Sequence, residues 1–148
     1  MKIAIGCDHG GLKLKNKIRQ YLLGKNIEVQ DFGAFSEVSV DYPEYCIKVS
    51  KAVLEKECEL GILCCGTGIG MSIAANKFNG IRAAVVSDTF SARATKEHNN
   101  TNILCLGERV IGEGLALDIV DTWINAEFLG GRHSNRLAMV ENIERGEV

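Results

Sequence analysis

The sequence predicts a single α/β domain built on a doubly wound, Rossmann-like parallel sheet. Short apolar runs alternate with amphipathic segments along the whole chain, the apolar runs number five, and no linker rich in Pro, Gly or Ser divides the 148 residues. Parallel strands need crossover connections of a dozen or more residues, which the amphipathic segments supply. We therefore expect one domain over residues 1–148, with a five-stranded parallel sheet and helices on both faces.

The first half of the chain contains three predicted strands and two predicted helices. The apolar runs KIAIGCD (2–8), IEVQDFG (27–33) and LGILCCG (60–66) are the strands. The segment LKLKNKIRQYLLG (12–24) has helical spacing and stops near Gly24, and PEYCIKVSKAVLEK (43–56) is a helix opened by the only proline. GAFSEVSVDYP (33–43) is the longest irregular connection, and we expect it near the functional site.

The second half continues the alternation. MSIAANK (71–77) is a short helix, IRAAVVSD (81–88) the fourth strand, SARATKEHN (91–99) a helix and NILCLGE (102–108) the fifth strand. GLALDIVDTWINAEF (114–128) is a long helix. After the connection GGRHSNR (130–136), RLAMVENIERG (136–146) forms the last one.

Composition excludes several classes of function. The net charge is −2, so no polybasic surface is available for nucleic acid or an anionic membrane. The uncharged stretch from Leu60 is shorter than the ~20 apolar residues of a membrane span and contains four glycines. The N-terminus lacks the apolar core of a secretory signal, so we expect a cytoplasmic protein whose six cysteines are mostly reduced. Neither CxxC nor HExxH occurs, and the spacing predicts no metal site.

The loops that follow the predicted strands carry most of the unusual polar residues. Ligands of open parallel sheets bind beyond the carboxyl ends of the strands. That rule selects CDHGG (7–11), CGTGIG (65–70), SD (87–88) and GER (107–109). We expect the functional site where these loops meet.

The turn GTGIG is the first candidate anion site. Its glycines let backbone N–H groups face a ligand, and the following helix favours negative charge, either of a phosphate or of a reaction oxyanion. Met71 stands where a dinucleotide fingerprint has Gly or Ala, so that class is excluded. The alternative is a strand-to-helix turn that merely needs glycine.

Cys65 is the last residue of the third predicted strand and adjoins this turn. A thiol there can act as a base or a nucleophile; the alternative is a small buried hydrophobe. Because successive strand residues point to opposite faces, we expect only one of Cys64 and Cys65 to pack in the apolar layer.

Further polar candidates are an acid–histidine pair, a helix end and three arginines. Asp8 and His9 follow the first strand, and such pairs in a crevice are enriched in function. His98 and Asn99 end a helix, which favours a protonated imidazole and hence a proton donor. Loop hydrogen bonding and helix capping are the simpler interpretations. Candidates for one shared anion are Arg132 and Arg136, four residues apart on one helical face, and Arg109 after the fifth strand.

Several short motifs occur in order along the chain: GCDHGG, DYP, CGTGIG, ANK, GIRA, EHNNTN and GGRH with Arg136. In combination they make the sequence resemble the type B ribose-5-phosphate isomerases over nearly the whole chain. The resemblance implies interconversion of ribose 5-phosphate and ribulose 5-phosphate, a step of the pentose phosphate pathway, without metal or organic cofactor. It implies that Cys65 is the base and that His98 is the ring-opening acid. From the chemistry of that reaction we expect Asp8 to lie near His98, and Thr67 to hydrogen-bond or move protons among the enediol oxygens. The substrate-binding positions implied are Asp8, His9, Gly66, Thr67, Gly68, Ile69, Gly70, Asn99, Arg109, Arg132 and Arg136. Some members use a glutamate where this chain has Met71, so Cys65 has no rival as base.

The resemblance also implies an assembly. Members are homodimers or dimers of dimers with active sites at the subunit boundary, and GGRHSNR, at the far end of the chain, is a segment that a neighbour can supply. We expect a small sugar phosphate as the only ligand class, with no nucleic acid and no membrane. Two alternatives remain: an isomerase of allose 6-phosphate or galactose 6-phosphate, and a noncatalytic module that binds sugar phosphates or nucleotides.

Overall fold

The computed structural model describes residues 1–148 and contains five strands, six α-helices and one short 3-10 helix, His9–Gly11. The strands are β1 (Lys2–Cys7), β2 (Glu28–Asp31), β3 (Leu60–Cys65), β4 (Ala83–Val85) and β5 (Ile103–Gly107). The helices are α1 (Leu12–Gly24), α2 (Tyr42–Leu54), α3 (Ile69–Ala75), α4 (Thr89–Asn99), α5 (Glu113–Asn125) and α6 (Arg132–Glu144).

All five strands are parallel and form one sheet in the order β2-β1-β3-β5-β4, which confirms the predicted doubly wound α/β class. β2 lies on one side of β1, and the chain then crosses back so that β3 lies on the other side of β1. The strand order therefore reverses between β1 and β3, where Cys7 pairs with Cys64. Open α/β sheets bind their ligands in the crevice at such a reversal.

Helices cover both faces of the sheet and create two separate apolar layers. One layer has 18 buried residues and joins α1 and α5 to the sheet; the other has 13 and joins α2 and α3. Trp123 is fully buried in the larger layer, and its indole N–H donates to Thr101 Oγ1 over 2.9 Å. Each large apolar side chain buried in this way stabilises the fold by roughly 1.5–3 kcal/mol.

The two adjacent cysteines face opposite layers. Cys64 lies in the larger cluster and Cys65 in the smaller one, and both are buried. As the alternation along the strand predicted, only one of them packs in each apolar layer. A parallel sheet covered on both faces has a second apolar layer, so the other cysteine is buried as well.

β4 and α6 differ most in extent from the sequence prediction. β4 is an edge strand with three residues instead of eight. Asn76 caps it at Ala83. At the other end, Asp88 already caps the next helix by accepting from the Ser91 N–H. α6 begins at Arg132 instead of residue 136, because the chain turns at two preceding glycines of positive φ and enters the helix at once. No helix has the length and apolar character needed to cross a membrane.

Candidate active site

The turn after β3 holds Cys65 at its centre. Gly68 adopts φ +78°, a left-handed conformation that suits glycine, and its backbone N–H donates to the Cys65 sulfur over 3.0 Å. The N–H of Ile69 donates to Thr67 Oγ1 over 3.2 Å, which leaves the exposed Thr67 hydroxyl free to donate its own proton. The backbone N–H groups of Gly66, Thr67 and Gly70 have no acceptor within the chain. A sulfur and several free amide donors thus share one turn.

The loop after β1 lies directly against this turn. The Asp8 carboxylate accepts from the Gly10 N–H over 2.8 Å, and a Cβ built on Gly10 would be 3.3 Å from the nitrogen of Gly66. His9 accepts the Val40 N–H at Nδ1 over 3.2 Å. Because Nδ1 accepts this bond, a neutral His9 carries its proton on Nε2, which is free to donate to a ligand.

Arg109 completes this side of the crevice. The Arg109 N–H donates to the Gly66 carbonyl over 3.0 Å, and a Cβ on Gly66 would be 3.4 Å from Arg109 Nη1, so the guanidinium covers the turn. The side chain is exposed and forms no ion pair within the chain. A cation therefore borders the free amides of the turn.

The crevice is braced by two residues that the sequence did not indicate as functional. Glu108 accepts the Leu14 N–H over 2.9 Å and so joins the loop after β5 to the start of α1. Lys15 is fully buried; it donates to Asp31 over 2.9 Å and to the Ala34 carbonyl over 2.8 Å. These bonds fix the start of the irregular connection after β2. A lysine on an otherwise apolar helix face, spaced with Leu14 and Ile18, was the signal available for it.

The remaining predicted site residues lie at the opposite edge of the sheet. α4 starts beyond the carboxyl end of β4 and runs back, so His98 and Asn99 precede β5. Arg82, before β4, donates from Nε to the carbonyl of Asn100 over 3.0 Å, which fixes the end of α4 at the amino edge. Cys65 pairs with Gly107 at the other end of β5, a separation of about 13 Å along a strand of five residues.

His98 is therefore not near Asp8 within one chain, contrary to the expectation from the reaction chemistry. The position of His98 could have been predicted from the alternation of strands and helices, because the last turn of a crossover helix always returns to the amino edge of the sheet. Arg132 and Arg136 also belong to this distant group, since the Leu129 N–H before them donates to the Glu97 carbonyl on α4 over 3.0 Å.

The amino-edge group is a cluster of cationic and imidazole side chains. His98 stacks on His133, with ring centroids 4.4 Å apart. Burial, with contributions from His98, Arg132 and Arg136, lowers the pKa of His133. Burial and then Arg82 lower the pKa of Lys96. None of the cations of this cluster forms an ion pair within the chain: Arg82, Lys96, Arg132 and Arg136. Such a surface suits an anionic ligand.

The largest cleft of the chain lies beside this cluster and away from Cys65. Its volume is about 630 Å³, and it opens between the start of β4 and α6, with Asn99 and Arg82 in its wall. The crevice around Cys65 is an open surface by comparison. Each half of the predicted site is thus incomplete in a single chain.

The remaining thiols are structural. Burial raises the pKa of Cys7 to about 12, and burial likewise raises the pKa values of Cys46, Cys58, Cys64 and Cys105. Cys7, Cys46 and Cys58 donate their S–H groups to oxygen atoms. These contacts keep the thiols protonated, whereas the Cys65 sulfur accepts a hydrogen bond.

Comparison with known proteins assigns this architecture to a family. A family model described as Ribose/Galactose Isomerase matches residues 3–140. Ribose-5-phosphate isomerase B of Escherichia coli is 49% identical over 144 residues, which cover 97% of each chain. The solved structure of ribose-5-phosphate isomerase B from Clostridium thermocellum is 55% identical, with a TM-score of 0.98 over 100% of both chains. A ribose 5-phosphate isomerase structure from Thermotoga maritima is 52% identical, with a TM-score of 0.94 over 95% of this chain and 97% of that one.

Proposed function

The chain belongs to the ribose/galactose isomerase family, and from that premise we propose that it interconverts ribose 5-phosphate and ribulose 5-phosphate. The observation that carries the proposal is the full-length similarity to ribose-5-phosphate isomerase B of Escherichia coli, at 49% identity over 97% of both chains. The chemistry of the crevice agrees with it. We further propose that the enzyme works in the cytoplasm, where its thiols remain reduced.

In the proposed reaction Cys65 is the base. Its sulfur removes the proton from C2 of the open-chain aldose, and the electrons of that C–H bond form the C1–C2 double bond of a cis-enediolate. The free N–H groups of Gly66, Thr67 and Gly70 are the donors available for the developing negative charge. The proton returns to C1, and the Thr67 hydroxyl moves a proton between the oxygens on C1 and C2. Cys65 ends the cycle in its starting state.

We propose a homodimer in which the active site is completed between two copies. One copy contributes Cys65, Thr67, Asp8, His9 and Arg109. The second contributes His98 as ring-opening acid, Asn99 as a hydrogen-bonding group, and Arg132 and Arg136 as phosphate ligands. The separation of about 13 Å along β5 supports this division, because one chain cannot close it without unfolding the sheet.

The surface of the chain agrees with such an assembly. Large apolar side chains are exposed beside both halves of the site: Ile69 and Ile73 on α3, Val85 on the edge strand β4, and Met139, Val140 and Ile143 on α6. Exposed apolar groups in this number, next to unpaired cations, are typical of a surface that another subunit covers.

Assays of ribose 5-phosphate and allose 6-phosphate side by side test the substrate. We expect kcat/KM to favour the pentose phosphate; a preference for the hexose phosphate would replace the proposed substrate by the six-carbon alternative. The variant Cys65→Ala tests whether the protein is an isomerase at all. We expect it to lose isomerisation while retaining sugar-phosphate binding, whereas full turnover would remove Cys65 as base.

A further inference from the structure

The imidazole rings of His98 and His133 are stacked with a centroid distance of 4.4 Å and an interplanar angle of 7°. His98 is exposed in the last turn of α4, whereas His133 is buried in the first turn of α6. The Leu129 N–H, which donates to the Glu97 carbonyl over 3.0 Å, holds the start of α6 beside the end of α4. Neither ring takes part in an ion pair. Each ring therefore has the other as its stacking partner.

The position of His133 disfavours a charge on its ring. His133 lies in the first turn of α6, where the positive end of the helix dipole disfavours a cation. Two imidazolium rings in face-to-face contact would also repel each other. These effects favour the neutral form of His133 in the stack.

The other charged groups near the pair act in the same direction. Burial, followed by His98, Arg132 and Arg136, lowers the pKa of His133. Lys96 on α4 is a further cation. Glu97 on α4 and Glu127 on the segment before α6 are the nearby acids in sequence, and neither forms an ion pair with a ring. No carboxylate thus pairs with either ring.

We propose that His133 is a positioning residue, whose buried ring stacks on His98 and fixes the plane of that imidazole for ring opening. The inference rests on the proposed function. As the C1–O4 bond of the furanose breaks, O4 takes the proton of His98, and the C1 hydroxyl gives its proton to water to form the aldehyde. His98 then regains a proton from solvent.

A comparison of two substrates isolates this step. Ribose 5-phosphate is a ring in solution, but ribulose 5-phosphate cannot close a five-membered ring because O5 carries the phosphate. We expect His133→Ala to lower kcat for ribose 5-phosphate by about tenfold or more, with KM nearly unchanged and with turnover of ribulose 5-phosphate largely kept. His133→Phe, which restores a flat ring without a titrating group, should recover most of the lost turnover. Asn135→Ala on the exposed side of α6 is the matched control.

A second measurement needs no turnover. The chain has three histidines, so their imidazole proton resonances can be followed individually by NMR as the pH is changed. Replacing His98 by Asn removes one of the causes that lower the pKa of His133, and we expect that pKa to rise. An unchanged His133 titration would show that the rings do not interact and would overturn the proposal.

The kinetic outcomes separate the inference from the function on which it rests. If His98→Asn loses ribose 5-phosphate turnover but His133→Ala does not, the positioning role is wrong and the acid assignment stands. If His98→Asn keeps full turnover, the acid assignment fails and the positioning role fails with it. Equal losses on both sugars by His133→Ala, or a raised KM alone, would assign His133 to folding or phosphate binding instead.

Discussion

The backbone N–H of Gly68 points back at the sulfur of Cys65 over 3.0 Å. The left-handed φ of Gly68 directs the N–H group at the sulfur. None of the other five thiols accepts a backbone N–H. The crevice thiol is thus the one whose sulfur the backbone holds as a hydrogen-bond acceptor.

Alkylation tests this difference. We expect iodoacetamide to abolish isomerisation by modifying Cys65, and bound sugar phosphate to slow the loss by covering the crevice. Mass spectrometry of the modified peptide together with the residual rate measures both effects.

Cys58→Ser supplies the control, because Cys58 lies before β3, at the edge of the sheet away from the crevice. This variant should be inactivated as fast as the parent chain. Activity that survives verified modification of Cys65 would exclude this residue as the base.

Arg136→Ala separates binding from chemistry. The phosphate does not react, so the enzyme holds it equally in the ground and transition states, and losing a phosphate ligand should raise KM by about tenfold or more with little change in kcat. Steady-state kinetics with ribose 5-phosphate measure the two constants. A KM equal to that of the parent chain would remove Arg136 from the phosphate site.

Gly107→Ala tests the packing beneath the catalytic turn. A Cβ at Gly107 would be 2.7 Å from backbone atoms of Thr67, so the turn must shift. We expect a loss of about 1–3 kcal/mol in the free energy of unfolding, with reduced turnover. Urea unfolding at one fixed protein concentration measures the change.

The matched substitution is Gly114→Ala, since Gly114 lies in α5 with no atom within 4 Å of its added Cβ. There we expect a gain of about 0.5–1 kcal/mol from the better helix former. A Gly107→Ala chain as stable and active as the parent would show that the turn has room to move.

The sequence predicted the crevice well because the relevant rules are local. Apolar runs identified β1 and β3, and the ends of these strands had to meet at one edge of a parallel sheet. Asp8, Cys65 and Arg109 therefore came together as expected. The extent of β4 was not predictable in this way, because its end is decided by the side chains of Asn76 and Asp88 rather than by hydrophobicity.

The distant half of the site needed topology as well as motifs. His98 and Arg136 were recognised from the motifs that contain them. A motif alone does not indicate which edge of the sheet its residues occupy. His133 and Lys15 were missed because their roles depend on contacts across the fold: a ring stack with α4, and a bond to a carbonyl after β2. Such contacts leave no periodic signal.

Mixing of variants tests the shared site directly. In a heterodimer of Cys65→Ala and Arg136→Ala chains, one site receives both lesions and the other receives none. Half of a random mixture is heterodimer, so we expect recovery of roughly a quarter of the parent activity at substrate concentrations below KM.

The mixture of His98→Asn with Arg136→Ala is the internal control. Both residues belong to the amino-edge group and would enter the same site from the same copy, so every site in this mixture keeps one lesion and no activity should return. Subunit exchange is verified by mass spectrometry of differently tagged chains. Recovery in the control mixture, or none in the first one, would mean that Cys65 and Arg136 do not meet across a subunit boundary.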